Sequence, residues 1–384
     1  MPSALPVEDR VATAPALAAI RLRLDSFRSY RRLDLEVGPG PIVLHGDNGA
    51  GKTNLLEALS LLAPGRGLRQ AVTTELDRNG VEPWTAAAIV VTRDGPCEVR
   101  TGHDRTGDRR YVELDGRRLR GTAGLAGLGG ILWLIPAQDR LFQDGPAGRR
   151  RFLDRLVLLI DPDHAGRVQH YERTVRERSI LLRQGRADPA WLVVLESRLA
   201  SLGVSVVAAR RELVMALGKL LAREASPFPT PRLAVTGEVE AWLEAMPAAE
   251  VEDRVVGALA AARATDAHAG GAAVGPHRGD LLVFDAASGE CARDCSTGQQ
   301  KALLVRLVLT ATGLAAELAG IRPMLLLDEI EAHLDRRRRA ELADVVTGLG
   351  AQAWLTGTDR SFFSALEGRA RFLHVNSSEV RHDG

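Results

Sequence analysis

The chain has 384 residues, 45% hydrophobic and 26% charged, a length and balance that exclude a single small module and disfavour both disorder and a membrane-embedded body. Fifty basic side chains against 49 acidic ones leave a formal charge of +1, so no protein-wide positive field holds nucleic acid or an anionic membrane, and any such binding needs a local patch. Three cysteines, Cys97, Cys291 and Cys295, lack the number and spacing of a disulfide framework or a Cys-x-x-Cys zinc site and read as free thiols of a reducing cytoplasm.

In chain order, residues 1–18 are rich in Ala and Pro without a period and read as a flexible N-terminal extension. Glu8, Asp9 and Arg10 stand where a signal peptide needs its apolar stretch, and no later uninterrupted run reaches about 18 apolar residues, so a cytosolic protein with no membrane role is expected. Segments 20–24 and 33–37 alternate apolar and polar residues, as in a hairpin, and 42–44 is a short strand of the buried type. A helix follows over 52–62, then strands at 87–91, 98–101, 111–114 and 131–135 separated by Gly-rich turns. From about Arg149 the pattern becomes long helical periodicity, giving helices over 164–183, 191–224 and 239–263. After Gly270 strands and helices alternate again: strand 281–284, helix 298–318, strand 324–327, helix 336–349 and strands 353–356 and 371–375. The simplest architecture is an α/β head made of residues 19–148 and 270–384, interrupted by an α-helical lobe over 149–269.

Only three of the 50 basic residues are lysines, Lys52, Lys219 and Lys301. Where arginine serves as the generic cation, a retained lysine is enriched at sites that need a compact ammonium rather than a planar fork. Lys52 belongs to the run Gly46, Asp47, Asn48, Gly49, Ala50, Gly51, Lys52, Thr53, which fits G-x-x-x-x-G-K-[ST], follows the 42–44 strand and opens a helix. In such a loop backbone N–H groups wrap the phosphates, Lys52 faces the β/γ oxygens of ATP, and the Thr53 hydroxyl ligates Mg²⁺. Met324-Leu-Leu-Leu-Asp-Glu329 is an apolar strand ending in two acids, as expected of a Walker B element. Asp328 is placed in the Mg²⁺ shell, and Glu329 where it can polarise a water attacking the γ-phosphate, so hydrolysis is expected and not binding alone. A strand ending in a solvated acidic turn is the bland alternative.

Lys301 closes Ser296-Thr-Gly-Gln-Gln-Lys301, which resembles an ABC-ATPase signature. A Ser and a Gly at a helix N-terminus supply a hydroxyl, exposed amides and a positive dipole end. In the ABC class that surface meets ATP bound to the other subunit, so Ser296, Gly298 and Gln299 are expected to act in trans; ordinary helix capping is the alternative. Gln138, after the 131–135 strand, resembles the Q-loop glutamine that reaches Mg²⁺ and the attacking water, or is a solvated loop residue. Asp335 looks like the interfacial D-loop aspartate, or a plain N-cap of the next helix. Thr356-Gly-Thr358 stands where transporter ATPases carry a switch histidine, so the γ-phosphate sensor is a hydroxyl or is missing.

Taken together the motifs resemble the RecF family of recombination mediators, relatives of SMC-type ATPase heads. The resemblance covers about residues 20–376. It is carried by Leu24-Asp-Ser-Phe-Arg-Ser-Tyr30, the P-loop followed by Asn54-Leu-Leu-Glu-Ala58, Gly145-Pro-Ala-Gly-Arg-Arg-Arg-Phe-Leu-Asp154, Gly275-Pro-His-Arg-Gly-Asp280 and Ser296–Lys301. It implies an ABC-type (SMC-like) P-loop ATPase head with an inserted α-helical lobe, a slow DNA-dependent ATPase, and an ATP-driven homodimer clamped on double-stranded, gapped or junction DNA. It also implies RecR and RecO as partners, recombinase loading as the outcome, and an approach of Arg28 to bound nucleotide, for which a surface hairpin arginine is the alternative. Gly279 and Ala137-Gln138 depart from the acidic residues usual in the family. Arg149–Arg151 and Arg336–Arg339 suit phosphate contact or form solvated helix faces. Aromatic residues are 4% of the chain, which argues against a base-stacking platform and for readout of duplex through phosphate and shape. The distance from Lys52 to Ser296 argues against a transporter subunit, a P-loop kinase leaves Ser296–Lys301 unexplained, and the 149–263 block is too short for a full SMC coiled coil.

Overall fold

The computed structural model describes residues 15–78, 83–104, 109–185, 188–330 and 334–383. They form two compact units: unit 1 is the described part of Met1–Asp139, Ala225–Pro229 and Ser296–Gly384, and unit 2 the described part of Arg140–Glu224 and Thr230–Cys295. Most of the expected N-terminal extension, residues 1–14, lies outside the described residues. Its last residues are not loose, because Leu17 is buried, its N–H donates to the Arg322 carbonyl at 2.9 Å, and Ala18 already begins a strand.

Unit 1 opens with β1 (Ala18–Phe27), β2 (Tyr30–Glu36), β3 (Ile42–His45), α1 (Lys52–Ser60), β4 (Thr85–Thr92), β5 (Gly95–Asp104), β6 (Arg109–Leu114), β7 (Arg117–Arg118) and β8 (Ile131–Leu134). Unit 2 holds α2 (Pro146–Leu158), α3 (His164–Gln184), α4 (Pro189–Arg223), β9 (Pro231–Thr236), α5 (Glu238–Ala245), α6 (Ala248–Ala261), α7 (Arg263–Ala269) and β10 (Asp280–Asp285). The chain re-enters unit 1 with α8 (Thr297–Ala319), β11 (Met324–Leu327), α9 (Arg336–Gly348), β12 (Ala353–Gly357), β13 (Arg371–Asn376) and β14 (Glu379–His382).

Two six-stranded sheets build unit 1. One runs β2-β1-β4-β5-β6-β7 and is antiparallel throughout. The other runs β14-β13-β3-β12-β11-β8, with only the edge strand β14 antiparallel. Every residue of β3, β8, β11 and β12 is buried, which is why β8 and β11 are wholly apolar and β3 and β12 are apolar up to their carboxyl ends: a parallel sheet is covered on both faces. Phe27 meets Trp84 edge-to-face at 5.4 Å in the core beneath the antiparallel sheet. Two helices among the described residues, α4 and α8, are long and apolar enough to cross a membrane, although charged and polar residues interrupt the apolar run in each. For α8, 78% of the relevant window is buried in the protein, as for a core helix that is apolar on all sides.

Unit 2 departs from the sequence expectation in three ways. The helix read over 239–263 is divided into α5 and α6 at Pro247, which has no N–H to continue a helix, and α6 ends at Ala262, where α7 begins. The lobe is not purely helical, because β9 pairs with β10 in antiparallel register, Leu281 opposite Val235 and Val283 opposite Leu233. The strand at 280–285, assigned from sequence to the head, therefore belongs to unit 2, and the unit limits move outward from 149 and 269 to 140 and 295. Gly270, with φ +74°, is the left-handed C-cap of α7 and marks a helix end, not a domain limit. Arg178 ties the helices of this unit together. Its buried guanidinium pairs with Glu196 at 3.0 Å and Asp266 at 2.7 Å and donates to the Leu259 carbonyl at 2.7 Å.

Candidate functional site

The order β3-β12-β11-β8 places the carboxyl ends of four parallel strands side by side. Gly46–Thr53 follows β3, Thr356 lies in β12, Asp328 and Glu329 follow β11, and Gln138 and Asp139 follow β8. In open α/β sheets this edge is where ligands bind.

The loop after β3 depends on glycine. Gly46 has φ +143°, and a Cβ there would lie 2.1 Å from the Val375 carbonyl oxygen. Gly51 has φ +113°, and the Tyr30 hydroxyl packs over it, donating to its carbonyl at 3.2 Å. Lys52 Nζ donates to the carbonyls of Gly46 at 2.5 Å and Asp47 at 2.8 Å, so the ammonium is held curled inside its own loop. Asp47, Asn48 and Gly49 are exposed at its tip, and Ala50 is buried.

Thr53 Oγ1 lies 3.0 Å from both carboxylate oxygens of Asp328. Asp328 is 4% exposed, and its Oδ1 also accepts from Thr356 Oγ1 at 2.7 Å. Burial, assisted by the nearby Glu329 carboxylate, pushes the Asp328 carboxyl above the usual range against the pull of the two hydroxyls. A buried carboxylate short of positive charge, beside a threonine hydroxyl, is a hard-oxygen donor set that fits Mg²⁺. Among the described residues no group of three or more His, Cys, Asp or Glu could hold a metal, and Mg²⁺ in general takes one or two carboxylates with substrate phosphates and water as its other ligands.

Glu329 is half-buried with φ +47°. Its N–H donates to Thr356 Oγ1 at 2.8 Å, and its carbonyl accepts from Lys301 Nζ at 3.2 Å. Gln138 is folded onto its own turn, Oε1 accepting from the Ile135 N–H at 3.2 Å. Arg28, itself left-handed at φ +52°, directs Nε and Nη2 at Glu57 at 2.9 and 2.8 Å and Nη1 at the Glu75 carbonyl at 2.8 Å. Glu57 is a buried residue of α1 and also takes Arg69 at 2.8 Å, so the turn after β1 is locked to the helix that carries Lys52. Sequence reasoning gave no role to Glu57 or Asp139. It left Thr356 undecided, although its position at the end of a buried strand beside Walker B was the available signal.

Ser296 caps α8 through a reciprocal box: Gln299 N–H donates to Ser296 Oγ at 3.3 Å and Ser296 N–H to Gln299 Oε1 at 3.1 Å. Gly298 lies in the same first turn. Asp335 caps α9, accepting from the Arg338 N–H at 2.8 Å, while the preceding residues 331–333 lie outside the described residues. Both capping alternatives are thus realised within one subunit. The basic clusters are less available for phosphate than their sequence suggests. Arg149 forks onto Asp280 at 2.8 Å through Nε and Nη2, Arg150 donates to the Gly279 carbonyl at 2.9 Å, and Arg339 lies over the Phe362 ring at 4.8 Å.

Residues 21–80 match the family model described as an AAA domain. The DNA replication and repair protein RecF of Mesorhizobium japonicum is 45% identical over 366 residues, 94% of this chain and 96% of that protein. Among solved structures, the recombination mediator protein RecF-ATPrS in the RecFOR pathway superposes with a TM-score of 0.84 at 22% identity, covering 97% of this chain and 99% of that one. The Smc head domain of Pyrococcus furiosus, with an extended coiled coil and bound to the C-terminal domain of ScpA, superposes at 0.55 and 15% identity, covering 95% of this chain and 96% of that one. With the fold of an ABC/SMC-type ATPase head and 45% identity to a curated relative over nearly its whole length, the chain belongs to the RecF family.

Proposed function

We propose that this chain is an ATP-hydrolysing, DNA-binding protein of DNA replication and recombinational repair, whose ATP-bound form is a homodimer clamped on double-stranded or gapped DNA and whose hydrolysis releases that DNA. The observation that carries the reading is the pairing of Thr53 with Asp328, a hydroxyl and a buried carboxylate from opposite ends of the chain converging beside the P-loop lysine. In this reading backbone N–H groups of 46–51 and Lys52 bind the phosphates, Thr53, Asp328 and Gln138 hold Mg²⁺, and Arg28 supports the loop from behind through Glu57. Mg²⁺ supplies charge neutralisation on the β/γ oxygens. Glu329 orients and polarises the attacking water. Ser296, Gly298, Gln299 and Asp335 of a second copy close over the nucleotide, so the site is complete only in the dimer. Turnover is slow because the ATP state times the occupancy of DNA. The three cysteines are free thiols, which suits a cytoplasmic protein. RecR and RecO are the partners that the family resemblance implies, with recombinase loading as the outcome.

The test is the solution mass of Glu329→Gln with and without ATP and Mg²⁺, by sedimentation. The expected result is a shift from the monomer mass of 41.3 kDa to twice that value only with ATP and Mg²⁺. A protein that remains monomeric under saturating ATP would reduce Ser296–Lys301 to a helix cap and leave a simple nucleotide-binding protein.

A further inference from the structure

Glu329 adopts a left-handed conformation, which costs a residue with a Cβ about 1–2 kcal/mol and persists only where its surroundings hold it. Two side chains hold it here, one on each flank. Thr356 in β12 takes the N–H and Lys301 in α8 takes the carbonyl. Lys301 is 2% exposed, and its ammonium also pairs with Asp139 Oδ2 at 3.5 Å, next to Gln138. Asp139 Oδ1 is buried and has no hydrogen-bond partner among the described residues, so this carboxylate relies on the lysine. One ammonium therefore joins the signature helix, the loop after β8 and the turn after β11.

The residue type matters. Arginine supplies 47 of the 50 basic side chains, yet this position carries one of three lysines. A compact ammonium satisfies a carbonyl and a carboxylate in a closed site, where a planar fork needs more room and fixed directions. Lys301 also lies about one helical turn beyond Ser296, so the first turn of α8 moves with it as one body.

We propose that Lys301 is a positioning residue that fixes the Glu329 turn and carries any displacement of the first turn of α8 directly to that carboxylate. The inference rests on the reading of Glu329 as the group that polarises the attacking water.

The test uses the full chain with ATP, Mg²⁺ and duplex DNA, comparing Lys301→Met, Lys301→Met/Asp139→Asn and Glu329→Gln. Lys301→Met is expected to lower kcat about 10–100-fold, the scale of an ångström-level misplacement. KM for ATP is expected to stay within about two-fold, because binding groups are untouched. The double variant removes the unpaired carboxylate together with the lysine and is expected to recover the thermal midpoint but not kcat; it keeps the test valid if the single variant folds poorly. Wild-type kcat in the double variant would overturn the inference, leaving Lys301 as a counter-charge for Asp139. So would a rise in KM with kcat unchanged. Wild-type turnover by Glu329→Gln would instead overturn the parent reading, whereas loss in Glu329→Gln alone, with both Lys301 variants active, sinks only the role of Lys301.

Discussion

The Thr53 hydroxyl and the Asp328 carboxylate meet at 3.0 Å although 275 positions separate them in the chain. The contact spans two neighbours of the central strand β12, since β3 and β11 flank it on either side. Thr53→Ala is expected to leave the fold intact and to lower Mg²⁺-dependent ATP hydrolysis about 100-fold, with Thr53→Ser close to wild type. Hydrolysis titrated against Mg²⁺ reads this directly, and an unchanged Mg²⁺ requirement in Thr53→Ala would remove Thr53 from the metal shell.

Thr356→Val keeps the shape of the side chain while deleting the hydroxyl that serves Asp328 and the Glu329 N–H. The Glu329 amide then loses its partner, and the expected loss of stability is about 1–3 kcal/mol by urea unfolding. Thr356→Ser should restore most of it, and equal stability of Val and Thr would show that the two hydrogen bonds contribute nothing net.

The two glycines at 46 and 49 separate steric demand from backbone strain. Ala at 46 drives a Cβ to 2.1 Å from the Val375 carbonyl oxygen, whereas Ala at 49 meets nothing within 4 Å and carries only the strain of φ +81°. Gly46→Ala is expected to unfold the loop and abolish nucleotide binding. Gly49→Ala should cost only about 1–2 kcal/mol and retain measurable binding of a fluorescent ATP analogue.

Removing the charge of Glu57 strands two guanidinium groups, those of Arg28 and Arg69. Because both arginines reach water, Glu57→Gln is expected to cost about 2–3 kcal/mol rather than the full penalty of a buried unpaired ion. A thermal unfolding midpoint equal to wild type would contradict that.

In unit 2, His277 is wedged between Tyr171, whose hydroxyl donates to Nδ1 at 2.7 Å, and the Ala272 carbonyl, which accepts from Nε2–H at 2.9 Å. Burial lowers its pKa below the ordinary 6.5, so the folded state binds fewer protons there than the unfolded chain. The associated stability is present above 6.5 and is lost as the pH falls through the folded value. Wild type should therefore lose its advantage over His277→Gln as the pH falls below about 6.5, and a pH-independent difference would show that the ring titrates alike in the folded and unfolded states.

Much of this was legible in the sequence because its signals are local. The segments 42–44, 131–134 and 324–327 are unbroken apolar runs, and the P-loop carries three glycines and a lysine within eight positions. What escaped depends on partners distant in the chain. The strand at 231–236 is short and opens on a proline, and it pairs with 280–285, which in turn pulled that segment out of the head. Arg28 carries no mark of its fork with Glu57, and Lys301 none of its reach to Glu329. Pro247 is visible in the sequence, but the apolar period continues on both sides of it and hides the break between the two helices.

The placement of β3 between β12 and β13 bears on how the protein is made. A ribosome delivers the P-loop strand well before its two neighbours in the sheet, with most of residues 140–295, which belong to unit 2, delivered in between. Until the segment 353–376 has been synthesised, β3 has no hydrogen-bonded neighbour in its sheet and Gly46 has no Val375 to close against. A nascent chain that stops short of residue 353 thus carries every glycine of the P-loop without the strands that frame it, so the loop's final shape waits on the synthesis of 353–376.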